Sequence, residues 1–210
     1  MLYIANDVEA AGSRLGLHST LSLGACPIIA KNLSFSECDK KGLIFYAELK
    51  PDSVQYEMAS MRIGCSQLVC LEKIKKENSR YDPNSHDFKP KLVLEYMQDI
   101  CEDPGSVMRR FGDWIEKLSC NGKVVGVLDT VFFDSGHLNL FFGKHGLGRS
   151  PFGWKGLDLA SLYKGYTQRS GAKLEELGVV DMRTKPHRAD QDAFFLARIG
   201  KVLLFDLMKW

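Results

Sequence analysis

The chain has 210 residues, with 28 Lys and Arg against 26 Asp and Glu for a net charge of +2, too balanced for a protein that coats duplex nucleic acid. Its length suits one α/β domain with a sizeable core, and no repeat or low-complexity segment divides it, so residues 1–210 read as a single domain. No basic leader or membrane-length apolar run stands in it, which predicts no membrane association and a cytoplasmic or nuclear location, and its six cysteines show no C-x-x-C pair or companion His spacing, which predicts reduced, mostly buried thiols.

Met1 to Glu9 reads as a central strand, apolar on both faces through Tyr3 and Ala5 on one side and Leu2, Ile4 and Val8 on the other. A period of two puts Asp7 and Glu9 on one face, where repulsion and desolvation press one of them to hold a proton and a divalent cation removes the conflict. Two acids at a strand end facing water are also a common arrangement. Ala10, Ala11 and Gly12 follow, small residues that let backbone amides approach a ligand. Strands at 19–29 and 42–49 complete a meander with the first, and Asn32-Leu-Ser34 is formally a glycosylation triplet.

Residues 53–76 read as partly helical with Gly64 as an interruption, and 78–90 as a polar loop able to lie over a site. Two amphipathic helices follow, Leu92 to Cys101 and Ser106 to Leu118, the second with Met108, Phe111, Trp114, Ile115 and Leu118 inward. A short strand at 123–129 runs through Thr130 into Asp134, at the junction with a helical stretch. Asp134 alone reads equally as a helix N-terminal acid favoured by the macrodipole.

From Lys144 to Lys155, the cations Lys144, His145, Arg149 and Lys155 interleave with Phe152 and Trp154, a pattern able to bind phosphates and stack bases, or a solvated loop whose rings cap the core. Its Gly148 to Gly153 run is not a P-loop, because Trp154 stands where Lys is needed. Leu157 to Tyr166 and Leu174 to Leu177 read as helices. After Pro186, His187-Arg-Ala-Asp-Gln-Asp192 opens a helix that runs to about Met208. Ala189, Ala193, Leu196, Ile199 and Leu203 form its apolar stripe, with Asp192 inside it and Asp190 toward the side of Lys201. His187 and Asp192 would lie about 140° apart on an ideal helix, so they serve one site only if His187 sits in the lead-in before the first turn.

Together these clusters resemble one family, the DEDDh (DnaQ-like) 3′-to-5′ exonucleases. Asp7-Val-Glu9-Ala-Ala-Gly12 resembles its first motif, Asp129-Thr-Val-Phe-Phe-Asp134 its second and His187-Arg-Ala-Asp-Gln-Asp192-Ala193 its third. Thr130 stands where the family usually has Asn, and Ala10 where it frequently has Thr. The resemblance implies an α/β, ribonuclease H-like mixed sheet flanked by helices on both faces. It implies two divalent cations, Mg²⁺ or Mn²⁺, held by Asp7, Glu9, Asp134 and Asp192, with His187 as general base. It also implies release of nucleoside 5′-monophosphates from single-stranded RNA or DNA 3′ ends, with a lean to RNA, and backbone amides near Ala10 and Ala11 on the terminal ribose. Relatives are often homodimers, which the sequence permits. Two other readings stay open: a weakly catalytic nucleic-acid-binding module of the same fold, and a small-nucleotide phosphodiesterase. Residues 52–120 carry no motif that bears on this choice.

Overall fold

A computed structural model describes residues 1–129, 131–145, 148, 150–153 and 155–210. Its strands are β1 (Leu2–Ala10), β2 (Thr20–Pro27), β3 (Phe45–Glu48), β4 (Val124–Leu128) and β5 (Gly156–Asp158). Its helices are α1 (Phe35–Lys40), α2 (Met58–Gly64), α3 (Ile74–Glu77), α4 (Pro90–Ile100), α5 (Pro104–Ser119), α6 (Val131–Lys144), α7 (Leu159–Thr167) and α8 (Ala189–Lys201). The strands form one sheet in the order β3-β2-β1-β4-β5. The first three pair antiparallel, as the expected meander, while β4 lies parallel to β1 and β5 parallel to β4.

The alternation read in β1 decides what covers each face. Ile4 and Val8 pack with Leu23, Phe45 and Ala47 against Met108, Phe111 and Ile115 of α5 and Leu138, Phe141 and Phe142 of α6. Ala5 faces the other way, with Cys26 and Val127, against Leu159 of α7 and Phe194, Ala197 and Ile199 of α8. The sheet is therefore mixed with helices on both faces, the ribonuclease H-like arrangement.

Residues 52–101, which carried no motif, build a third core at the end of the sheet where β1 finishes. Met61 of α2, Cys65 just after that helix, Leu68, Leu71, Phe88, and Val93, Leu94 and Met97 of α4 close over Ala11 and Leu21. The polar stretch 78–90 belongs to this core rather than standing as a free lid: Phe88 is buried, Tyr81 meets Tyr96 edge-on, and Arg62 donates to the Pro83 and Ser85 carbonyls.

Several local readings are corrected. α1 was missed although Ser34 and Glu37 form a complete capping box; Ser34 had been read only as part of a sequon. β5 is the three residues before α7, which starts at Leu159 because Asp158 caps it by accepting from the Ser161 amide. Trp114 and Leu118 are only half-buried, and the Trp114 indole donates to the Gly42 carbonyl. The last helix ends as a π-helical segment, Val202–Leu207. Of the loop expected to meet phosphates, Arg149 and Trp154 lie outside the described residues, as does Thr130. Lys144 is ion-paired with Asp52, and Phe152 packs on Phe111 as a cap of the core.

Candidate active site

β1 carries Asp7 and Glu9 outward at its carboxyl end, on the face that receives α8. Directly opposite Asp7 in the antiparallel register is Gly24 of β2. A Cβ there would stand 2.0 Å from the Ala189 carbonyl carbon and 2.3 Å from the Asp190 amide nitrogen. Only glycine lets the first turn of α8 lie against the strand, and that approach delivers Asp192 to Asp7 and Glu9.

The lead-in to α8 has the form required for His187 to share the site. His187 precedes the Arg188 N-cap and adopts φ +64, a left-handed conformation costly for a residue with a Cβ. There its amide donates to Asp192 Oδ2 at 3.1 Å. Donor atoms of Glu9, His187 and Asp192 all lie within 4.8 Å of one another. Asp134, in the first turn of α6, is buried, and its Oδ1 accepts from the Val8 amide, between the two acids of β1, at 3.3 Å. The parallel β1/β4 pair places the start of α6 at the same sheet edge as the end of β1.

The carboxylates so placed act on Asp7 and Glu9. Burial pushes the Asp7 carboxyl well above its ordinary range, with Glu9, Asp134 and Asp192 adding to the effect and Arg183 opposing it. Burial, then Asp192 and Asp134, push Glu9 up to about 8. Burial also raises Asp192, against Arg183 and the His187 amide. Asp7 Oδ2 is shut off from solvent and has no hydrogen-bond partner among the described residues. An orphaned carboxylate oxygen amid three more carboxylates and an imidazole is a donor set that fits divalent cations.

Two calls near the site are corrected. Asp190, which the helical pattern puts toward the side of Lys201 and outside the apolar stripe, is buried, paired with the guanidinium of Arg188, which in turn lies over the Tyr46 ring. The Ala11 amide is not offered to a ligand, because it donates to the Ser19 carbonyl at 2.8 Å, while Ala10 is buried next to the register shift that ends β1.

Sequence reasoning also missed Arg183. Its Nε and Nη2 donate to Asp181 at 2.9 and 2.7 Å, its guanidinium lies 4.5 Å from the Phe195 ring centre, and Nη1 donates to Asp192 Oδ1 at 2.8 Å. An Asp-x-Arg step in a loop carries no periodic signal. A cavity of about 700 Å³ opens beside Asp7 and Asp192, with Arg183, Lys164, Lys173 and Phe195 in its wall. Behind the site, His137 of α6 is fully buried with Nδ1 3.0 Å from Thr20 Oγ1.

No family model matches the sequence. The chain is 28% identical over 199 residues, 94% of its length and 86% of the relative's, to the 3′-5′ DNA exonuclease Cap18 of Escherichia coli. In structure it resembles the nuclease domain of 3′hExo, a DEDDh family member bound to rAMP, with TM-score 0.65 and 18% identity over 99% of this chain and 94% of that one. It also resembles E. coli Exonuclease I in complex with an oligonucleotide, with TM-score 0.60 and 15% identity over 98% of this chain but 40% of that one. Its structural neighbours are thus DEDDh-family 3′-exonucleases, and the shared fold is ribonuclease H-like. Among the described residues no helix is long and apolar enough to cross a membrane.

Proposed function

We propose that this chain is a metal-dependent 3′-to-5′ exonuclease that removes nucleoside 5′-monophosphates from single-stranded nucleic acid. The observation that carries the reading is the orphaned Asp7 oxygen among four carboxylates, of which Asp7 and Glu9 are raised by their acidic neighbours. The similarity to a protein named as a 3′-5′ DNA exonuclease and to 3′-exonuclease structures supports the same activity. That relative's name favours DNA over the lean to RNA taken from the sequence.

Asp7, Glu9 and Asp192 would hold one divalent cation, and Asp7 and Asp134 a second. Two Mg²⁺ or Mn²⁺ ions would supply Lewis acidity toward the attacking and leaving oxygens of an in-line displacement. The chain's own residues do the rest. Asp192 is oriented because Arg183 and the His187 amide each hold one of its oxygens, and both contacts oppose the upward push of burial on its carboxyl. Asp134 is fixed by the Val8 amide, so its distance from Asp7 follows the strand itself. His187, exposed beside Glu9 and Asp192, would take a proton from the attacking water on an imidazole nitrogen and pass it to solvent. Its pinned backbone with an exposed ring allows proton exchange without disturbing the carboxylates.

The test is digestion of 5′-labelled DNA and RNA oligonucleotides and of dinucleotides, with Mg²⁺ or Mn²⁺ and with chelator. A ladder shrinking from the 3′ end, lost in chelator and lowered at least about a hundredfold in Asp134→Asn and His187→Ala, is expected. Cleavage of dinucleotides alone would move the assignment to a small-nucleotide phosphodiesterase. Binding without turnover in either metal would leave a nucleic-acid-binding module.

A further inference from the structure

A second donor cluster lies two strands away from the acids of β1 and takes no part in the proposed reaction. Glu9 pairs with Ser22 and Ser22 with Glu48, so Glu48 continues the same row across β2 onto β3. Its carboxylate is held from several sides: the Tyr46 hydroxyl and the Val69 amide donate to Oε1, and the Cys70 amide donates to Oε2 at 2.9 Å. Cys101, the residue that caps the carboxyl end of α4, is brought to the same place because the Glu102 amide donates to the Glu48 carbonyl. One atom each from Glu48, Cys70 and Cys101 lies within 4.8 Å of the other two. Cys101 is buried and Cys70 half-buried, so the cluster has a closed side and an open one.

We propose that Cys70, Cys101 and Glu48 bind one thiophilic divalent cation, of the class to which zinc belongs, with water completing a tetrahedral shell. Donors around a tetrahedral zinc stand roughly 3.5–3.8 Å apart, so closure from the observed cluster needs movements of about an ångström or less. Binding M²⁺ forms two metal–sulfur bonds and releases two thiol protons to solvent, so the net charge of the site does not change. The polar surroundings that hold Glu48 therefore meet no change of net charge when the site is loaded.

The occupied site would join β3, the 3₁₀ turn Val69–Leu71 and the end of α4, three pieces already linked by the Val69 and Cys70 amides to Glu48 and by the backbone bridge between Leu49 and Glu102. That joint reaches the lead-in of α8, because Lys185 pairs with Glu72 and Arg188 lies over Tyr46. A cation here would thus stiffen the wall that His187 stands against.

The full chain, reduced and freed of metal, is titrated with Cd²⁺, and the ultraviolet sulfur-to-cadmium charge-transfer band is followed with proton release. The acid site offers oxygens and an imidazole, so the band reports thiols whether or not the chain degrades nucleic acid, and the Cys70 and Cys101 variants distinguish this cluster from the paired thiols Cys26 and Cys38. One equivalent with about two protons released is expected. Cys70→Ser and Cys101→Ser should each weaken binding at least about tenfold while still melting cooperatively, and Zn²⁺ should compete for the same equivalent. The absence of a band in protein whose thiols titrate as free overturns the proposal. A band unchanged in both variants, or a Cys70–Cys101 disulfide formed ahead of any metal uptake in air, overturns it as well.

Discussion

Gly24→Ala adds one methyl group to a strand that carries no functional side chain at that position, yet it should damage the site. The new Cβ would stand 2.0 to 2.3 Å from the Ala189 and Asp190 backbone, where ordinary contact begins at 3.4 Å. The first turn of α8 must then retreat by about 1.4 Å. Overpacking of this kind costs roughly 1–3 kcal/mol, which for a chain of this size is a fall in Tm of roughly 2–12 °C. Asp192 and His187 ride on that turn, and misplacing a catalytic group by about an ångström lowers turnover about a hundredfold. The assay is paired: melting curves in chelator, then oligonucleotide kinetics across an Mn²⁺ titration. Gly143→Ala in α6 is the control, since nothing lies within 4 Å of its added methyl and a helical glycine replaced by alanine should gain about 0.5–1 kcal/mol. If Gly24→Ala keeps wild-type kcat and metal response, the close approach of α8 to β2 is not what assembles the acids.

Two further outcomes follow from groups around the site. Arg183→Ala should raise the Mn²⁺ concentration for half-maximal activity and lower kcat about tenfold, with little recovery in Arg183→Lys, which lacks the planar fork. Asp181→Asn should add nothing in the Arg183→Ala background, because it acts through that guanidinium; additive losses in the double variant would refute the linkage. His137 has its pKa pushed down to about 4, first by burial and then by His18. Between there and the ordinary histidine value the unfolded chain binds more protons, so this residue contributes stability near neutral pH that is lost as pH falls toward 4. Urea unfolding of His137→Gln should therefore lose less stability than the wild type between pH 7 and 5, and parallel curves would exclude the histidine as the cause.

The acids of β1 were legible because a strand has a period of two and two acids on a buried face advertise themselves. Asp134, Asp192 and His187 were legible through the spacing within their motifs, and the lead-in position required of His187 is the one found. Asp190 was misread because a helical pattern ranks residues around one axis and cannot see that α8 touches β2 through Gly24, which buries Asp190 as well. Arg183 left no trace because its role depends on a loop folding back onto α8. The stretch 52–101 showed helical patterns but not their purpose, for a related reason: its apolar residues close over Ala11 and Leu21, contacts made across a long span of chain. The Ala11 amide looked available because a sequence does not show which carbonyl already holds it.

The parallel pairing of β1 with β4 gives the molecule a working end and an idle end. Both chemical segments leave from the carboxyl tips of these strands, whereas Leu2 meets the Lys123 carbonyl at the opposite margin, beside the exposed Asn121–Gly122 turn. Leu2 to Asp7 spans roughly 17 Å at strand rise. A tether, reporter or immobilising tag spliced into that turn would therefore hold the protein by its handle and leave the mouth open to a polymer of any length.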